Sequence, residues 1–110
     1  MIYTSFYSNP LWRQRGLLPI AISRGIPKSY GGRQDVRLAP GWAMLKMPPE
    51  KYDPLYAQIL SSLTTQDFVR SLPQDRDIVL LCWEGPGKPC HRHTVRKWLN
   101  EAGIPCQELT

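Results

Sequence analysis

Residues 90–93 read Cys-His-Arg-His, directly after the Gly/Pro-rich stretch 85–89 and directly before a helical run. Between them a thiol, two imidazoles and a guanidinium can attack an electrophile, carry a proton, hold an anion or ligate a metal. Their placement in the fold decides which. Val95, Trp98, Leu99 and Ala102 recur at helical spacing and Gly103 ends the pattern, which predicts a helix from Cys90 to Ala102. Cys90 then stands at the helix mouth. Unpaired backbone N–H groups and the positive end of the helix dipole attract anions there and favour thiolate. Arg92, at the edge of the inward face, offers a planar fork of donors suited to phosphate or carboxylate. His91 lies four residues before Val95 and seven before Trp98, so it points inward. It is either a proton carrier of the site or a core histidine bonded to a backbone carbonyl. His93 and Lys97 fall on the outward face, toward water.

Two other chemistries fit less well. The thiols and imidazoles at 82, 90, 91, 93 and 106 contain no C-x-x-C pair and match no usual structural zinc spacing. Adjacent Cys90 and His91 are poorly placed to share a tetrahedral ion, so no metal and no cofactor is expected. The string CHRHTVR formally satisfies the C-x5-R pattern of a thiol phosphatase, but its five intervening residues lack glycine and read as helix.

A second polar group lies far upstream. Ser23-Arg24-Gly25 closes the apolar run 17–23, and Lys28, Tyr30, Arg33 and Arg37 follow it. In a parallel sheet the end of that strand shares a rim with Cys90, joined by Thr4, Ser5 and Tyr7 of the first strand, which would gather Arg24, Arg33 and Arg92 with hydroxyls from Ser5, Ser23 and Tyr30. Glu84, after the strand 77–83, is expected to pair with Arg92 or Arg24, or to act as a base.

These residues need elements to hold them. Ile2, Thr4 and Phe6 alternate with Tyr3, Ser5 and Tyr7, which predicts a first strand over 1–7. The run 17–23 predicts a second. Residues 24–49 carry Gly25, Pro27, Gly31-Gly32, Pro40-Gly41 and Pro48-Pro49, and read as a long ordered loop anchored by Trp42, Met44 and Leu45, with a helical turn at 42–46. Asp53-Pro54 predicts a helix over 54–63, and Thr64 or Thr65 caps another through Leu72. Residues 77–83 are a continuous apolar run, the pattern of a strand buried on both faces. A last strand is expected over 104–109. The order β, β, loop, α, α, β, α, β predicts one compact three-layer α/β domain over 1–110, with a mainly parallel sheet flanked by helices.

The chain has 110 residues, a net charge of +5 and a pI near 9.4. That balance favours anionic partners such as phosphate, nucleotide or nucleic acid. No stretch approaches the ~20 apolar residues that span a bilayer. Three cysteines, an odd number, do not suggest a disulfide scaffold, and free thiols in a reducing cytoplasm are expected.

The segments AISRGIPKSYGG (21–32), LAP (38–40) and VLLCWEGPGKPCHRHTVRKWL (79–99) closely resemble the family known as domain of unknown function 488. The resemblance spans essentially the whole chain. It implies an α/β fold whose motif positions Ser23, Arg24, Glu84, Cys90, His91 and Arg92 converge on one site. The middle, 50–72, is short for that family, which implies a reduced lid. No activity comes with the family. The sequence therefore supports a phosphate-bearing small molecule or nucleic acid as ligand, bound by Ser23, Arg24, Tyr30, Arg33 and Arg92. If there is turnover, Cys90, His91 and Glu84 would serve a cysteine-assisted hydrolase or transferase. The alternative is a non-catalytic basic protein that sequesters a nucleotide, or binds nucleic acid or an acidic protein.

Overall fold

The computed structural model describes residues 1–84 and 90–109. Five strands, β1 (Ile2–Phe6), β2 (Leu18–Ala21), β3 (Arg33–Gln34), β4 (Ile78–Cys82) and β5 (Cys106–Glu108), form one all-parallel sheet in the order β3-β2-β4-β1-β5. Helices α1 (Leu11–Gln14), α2 (Pro49–Ser61), α3 (Thr65–Arg70) and α4 (His91–Glu101) cover it. The expected α/β class with a parallel sheet is what the chain adopts. No helix among the described residues is long and apolar enough to cross a membrane.

The apolar run 78–82 becomes the central strand, and its lack of alternation follows from burial on both faces. Ile78 and Leu80 enter a core with Tyr56, Leu60, Phe68, Val95 and Leu99 from α2, α3 and α4. Val79 and Leu81 enter a second core with Trp12, Leu17, Tyr30 and Leu109. The two faces are unequal, since α1 is a single turn.

Other boundaries moved for local reasons. α2 begins at Pro49 rather than at Pro54, because Pro48-Pro49 supplies its own proline-led first turn. Pro54 is carried inside the helix. Thr64 caps α3 as expected, its hydroxyl accepting from the Asp67 N–H at 3.1 Å. The segment 24–49 is ordered, with the expected helical turn at Trp42–Lys46, and it also contains β3 and a turn of 3-10 helix at Val36–Leu38. The chain leaves α4 through Gly103, whose φ of 79° suits glycine.

The topology creates a crevice. After β2 the chain proceeds outward to β3, and after β4 it proceeds the other way, past β1 to β5. β2 and β4 are neighbours, paired Leu18 to Ile78 through Ala21 to Leu81, so their carboxyl ends flank a topological switch point. Ser23-Arg24 follows one end and Cys82 closes the other.

Candidate functional site

A cavity of about 590 Å³ opens at that crevice, a size suited to a small ligand. Its wall carries Ser23, Arg24 and Gly25 after β2, Cys82, Trp83 and Glu84 after β4, and Cys90, His91, His93 and Thr94 at the start of α4. The Pro40–Pro49 segment and α2 supply Trp42, Tyr52 and Asp53.

The lip is built by the Ser-Arg-Gly segment. The Ser23 hydroxyl donates to the Gly25 carbonyl at 2.7 Å, so it accepts from the Tyr7 hydroxyl at 2.5 Å. The Trp83 indole N–H donates to the same Gly25 carbonyl at 2.8 Å, and the Tyr7 ring meets Trp83 edge-on at 5.3 Å. A Cβ added at Gly25 would stand 3.1 Å from the Trp42 ring, so glycine lets this ring approach. Trp42 and Trp83 keep 64% and 51% of their surface in water, an unusual exposure for two large rings on one cavity. Arg24 donates its Nε–H to the Pro40 carbonyl at 3.0 Å. Tyr56 donates to the Leu38 carbonyl at 2.6 Å, and the Gln34 amide to the Ser23 and Arg24 carbonyls at 2.9 and 2.7 Å. The Leu-Ala-Pro segment thus serves through its carbonyls, which anchor Arg24 and α2.

The floor carries the sulfur chemistry, and here the expectation of three free thiols fails. Cys82 and Cys90 form a disulfide, with Cα atoms 7.2 Å apart. Cys106 is free and buried, and burial holds its thiol up at about 12. Beside the disulfide, His91 adopts the core arrangement, bonded to a backbone carbonyl, and also lines the cavity. It is buried, and its Nε2 lies 2.7 Å from the Ile22 carbonyl. A carbonyl only accepts, so Nε2 carries the proton and Nδ1 keeps its lone pair. Nδ1 faces both sulfurs, at 3.4 Å from Cys82 Sγ and 3.8 Å from Cys90 Sγ. Burial first, and the Arg92 charge in lesser measure, push the imidazole down to about 4, against the raising effect of the Ile22 bond. It is therefore neutral near pH 7. The three potential ligand atoms lie within 4.8 Å of one another. Cys90 is extended (φ −156°, ψ 146°) and His91 begins the helix, and this change of direction turns both neighbours to one point. The argument that adjacent Cys and His diverge does not hold here.

Arg92 is not on the cavity wall. It is fully buried and clamps Glu108 of β5, with Nε–H and Nη2–H bonds of 3.0–3.2 Å to the carboxylate. Its Nη1 donates to the Glu84 carbonyl at 2.5 Å. Thr4 holds the other side of Glu108 at 2.6 Å. The expected Glu84 pairing is thus corrected: Glu84 contributes its main-chain carbonyl to Arg92, and its side chain forms no ion pair among the described residues. Tyr30 and Arg33 also lie off the wall. The Tyr30 ring is buried in the second core and donates to the Arg33 carbonyl, and Arg33 sits in β3, exposed. His93, expected to face water, is half-buried and lines the cavity. The segment 85–89, expected to form a ligand loop, lies outside the described residues. Sequence reasoning missed Gln34, Trp42 and Glu108 as parts of the site, whereas Tyr7, at the end of the first strand, was expected to join the rim. Only Trp42 carried a usable signal there, as a tryptophan just after a Pro-Gly turn.

Compared with family models, curated proteins and solved structures, the chain finds no match.

Proposed function

We propose that the crevice binds a small ligand with one anionic group, of the phosphate or carboxylate kind, and a flat ring: the nucleoside monophosphate class. The observation that carries this is the pairing of two exposed tryptophans with Arg24 on one cavity wall. Aromatic faces in water are suited to stacking a base, and a guanidinium tethered through Nε keeps its terminal nitrogens for an anion. Asp53 and Glu84 stand on the same wall. Their charges disfavour polyphosphates and long nucleic acid, so the small-ligand reading is favoured over a nucleic-acid groove despite the net charge of +5. The motif resemblance to the domain of unknown function 488 supports one site made from the Ser-Arg-Gly and Cys-His segments, and leaves the reaction open. Turnover through Cys90 would require the dithiol form, with neutral His91 as proton acceptor.

The test is titration of the purified protein with nucleoside monophosphates and simple aryl carboxylates, followed by tryptophan fluorescence. Arg24→Ala should weaken binding by about 10- to 100-fold, the weight of a hydrogen bond to a charged group. Trp83→Ala should weaken it similarly. If both variants bind as the wild type does, the reading is wrong.

A further inference from the structure

We propose that the reduced Cys82–Cys90 pair and His91 form a zinc-class metal site with its fourth position open to the cavity. The proposal is independent of which ligand the crevice takes.

The spacing carries the argument. A tetrahedral ion with Zn–S near 2.3 Å and Zn–N near 2.0–2.1 Å holds sulfur and nitrogen roughly 3.6 Å apart and two sulfurs roughly 3.8 Å apart. Nδ1 already stands 3.4 and 3.8 Å from the two sulfurs. Only the two sulfurs must part when their bond is reduced. The backbone accommodates this, because the Cα atoms of Cys82 and Cys90 are 7.2 Å apart, outside the ~4.4–6.8 Å that disulfides usually span.

The imidazole is also prepared. A histidine that ligates through one nitrogen needs the other held as a donor, commonly to a backbone carbonyl. The His91 Nε2–H bond to Ile22 does this at 2.7 Å and aims the Nδ1 lone pair at the sulfurs. Two thiolates and an imidazole suit zinc and reject magnesium or calcium. All three residues lie on the cavity wall. An ion held by them would present its remaining position to whatever occupies the cavity, the pattern of catalytic rather than structural zinc.

The chemistry balances in two steps. A small thiol reductant, two molecules of RSH, converts the protein disulfide to two thiols and leaves as RSSR. The divalent ion then displaces both thiol protons, so metal uptake releases two protons and a high pH favours it. A small disulfide, RSSR, would reverse this: the two thiolates exchange with it, the protein disulfide forms, two RS− leave with the electron pair, and the ion is expelled.

The experiment reduces the whole chain anaerobically, removes the reductant and any metal, and titrates Zn2+ and Co2+ against a chromophoric competitor. One ion per chain should bind, with cobalt giving thiolate charge-transfer absorption and the intense visible bands of tetrahedral geometry. The oxidised chain should take up none. Cys90→Ser, at a half-exposed helix cap that serine tolerates, should weaken binding at least 100-fold with the circular dichroism unchanged. Cobalt spectroscopy on the wild type answers the question even if Cys82→Ser fails to fold. Absence of stoichiometric uptake by the reduced chain overturns the proposal. So does a cobalt spectrum without thiolate absorption, or a Cys90→Ser protein that binds as tightly as the wild type.

Discussion

Arg92 was the residue most readily taken for an anion clamp, and its environment predicts a different role that one substitution can separate. Arg92→Met keeps an unbranched apolar stem and removes the guanidinium with its charge. Glu108 then loses three hydrogen bonds from two N–H groups while 18% of its side chain remains exposed, and the Glu84 carbonyl loses its bond. Removing one partner of a buried pair costs about 3–5 kcal/mol, and the partial exposure of Glu108 favours the lower end, about 3 kcal/mol. For 110 residues the unfolding entropy is roughly 0.23 kcal/mol/K, from about 2.1 cal/mol/K per residue, so the loss corresponds to about 13 °C in Tm. Adding Glu108→Gln should recover part of this, because a neutral amide needs no countercharge and still accepts from Thr4. Thermal and urea unfolding followed by circular dichroism measure both. A Tm within about 3 °C of wild type, together with lost ligand binding, would refute the structural assignment and return Arg92 to the site.

Three further outcomes follow from other contacts. In the oxidised protein His91 titrates near 4, against the ordinary 6.5, so the unfolded chain binds more protons between those values. Its contribution is present above pH 6.5 and lost as pH falls toward 4, about 2.5 × 1.36 or roughly 3 kcal/mol. Urea unfolding at pH 7 and pH 4 should show a loss of that order, and His91→Gln should flatten it. Tyr7→Phe removes the donor to Ser23 Oγ and should cost about 1 kcal/mol in urea unfolding; no change would mean that Tyr7 contributes only its ring. Gly25→Ala places a methyl 3.1 Å from a mostly exposed Trp42 ring that can swing away. Stability should stay within about 0.5 kcal/mol, while binding measured by tryptophan fluorescence falls several-fold.

What the sequence revealed, it revealed through local chemistry. The central strand was legible because a run buried on both faces shows no alternation, and α4 because its inward residues and Gly103 bracket it. The crevice was legible in part, since strand ends and helix mouths meet on one rim of a parallel sheet. The rest depended on pairings that no local pattern encodes. Glu108 becomes the partner of Arg92 only because β5 lands beside β1, 16 residues after Arg92. The Cys82–Cys90 bond joins a strand end to a helix cap across an intervening segment, so neither spacing nor cysteine count announces it. α2 was misplaced because two Pro-led starts compete in 48–54, and the first prevailed.

The Cys-His-Arg run illustrates the general point. His91 and Arg92, the first two residues of the helix, point about 100° apart, so a run of reactive types does not make one site. The fold uses the divergence: Cys90 and His91 turn to the cavity floor, while Arg92 turns to the sheet edge and fastens α4 to β5. The arginine therefore positions the helix whose first turn holds the sulfur and imidazole. Loosening the Arg92–Glu108 clamp should move Cys90 relative to Cys82, which belongs to the sheet. A variant that folds without the clamp is then expected to form the disulfide less completely under a fixed ratio of reduced to oxidised glutathione. Thiol counting after alkylation measures this. An unchanged disulfide fraction would show that the strand end and helix cap hold their register without help from β5.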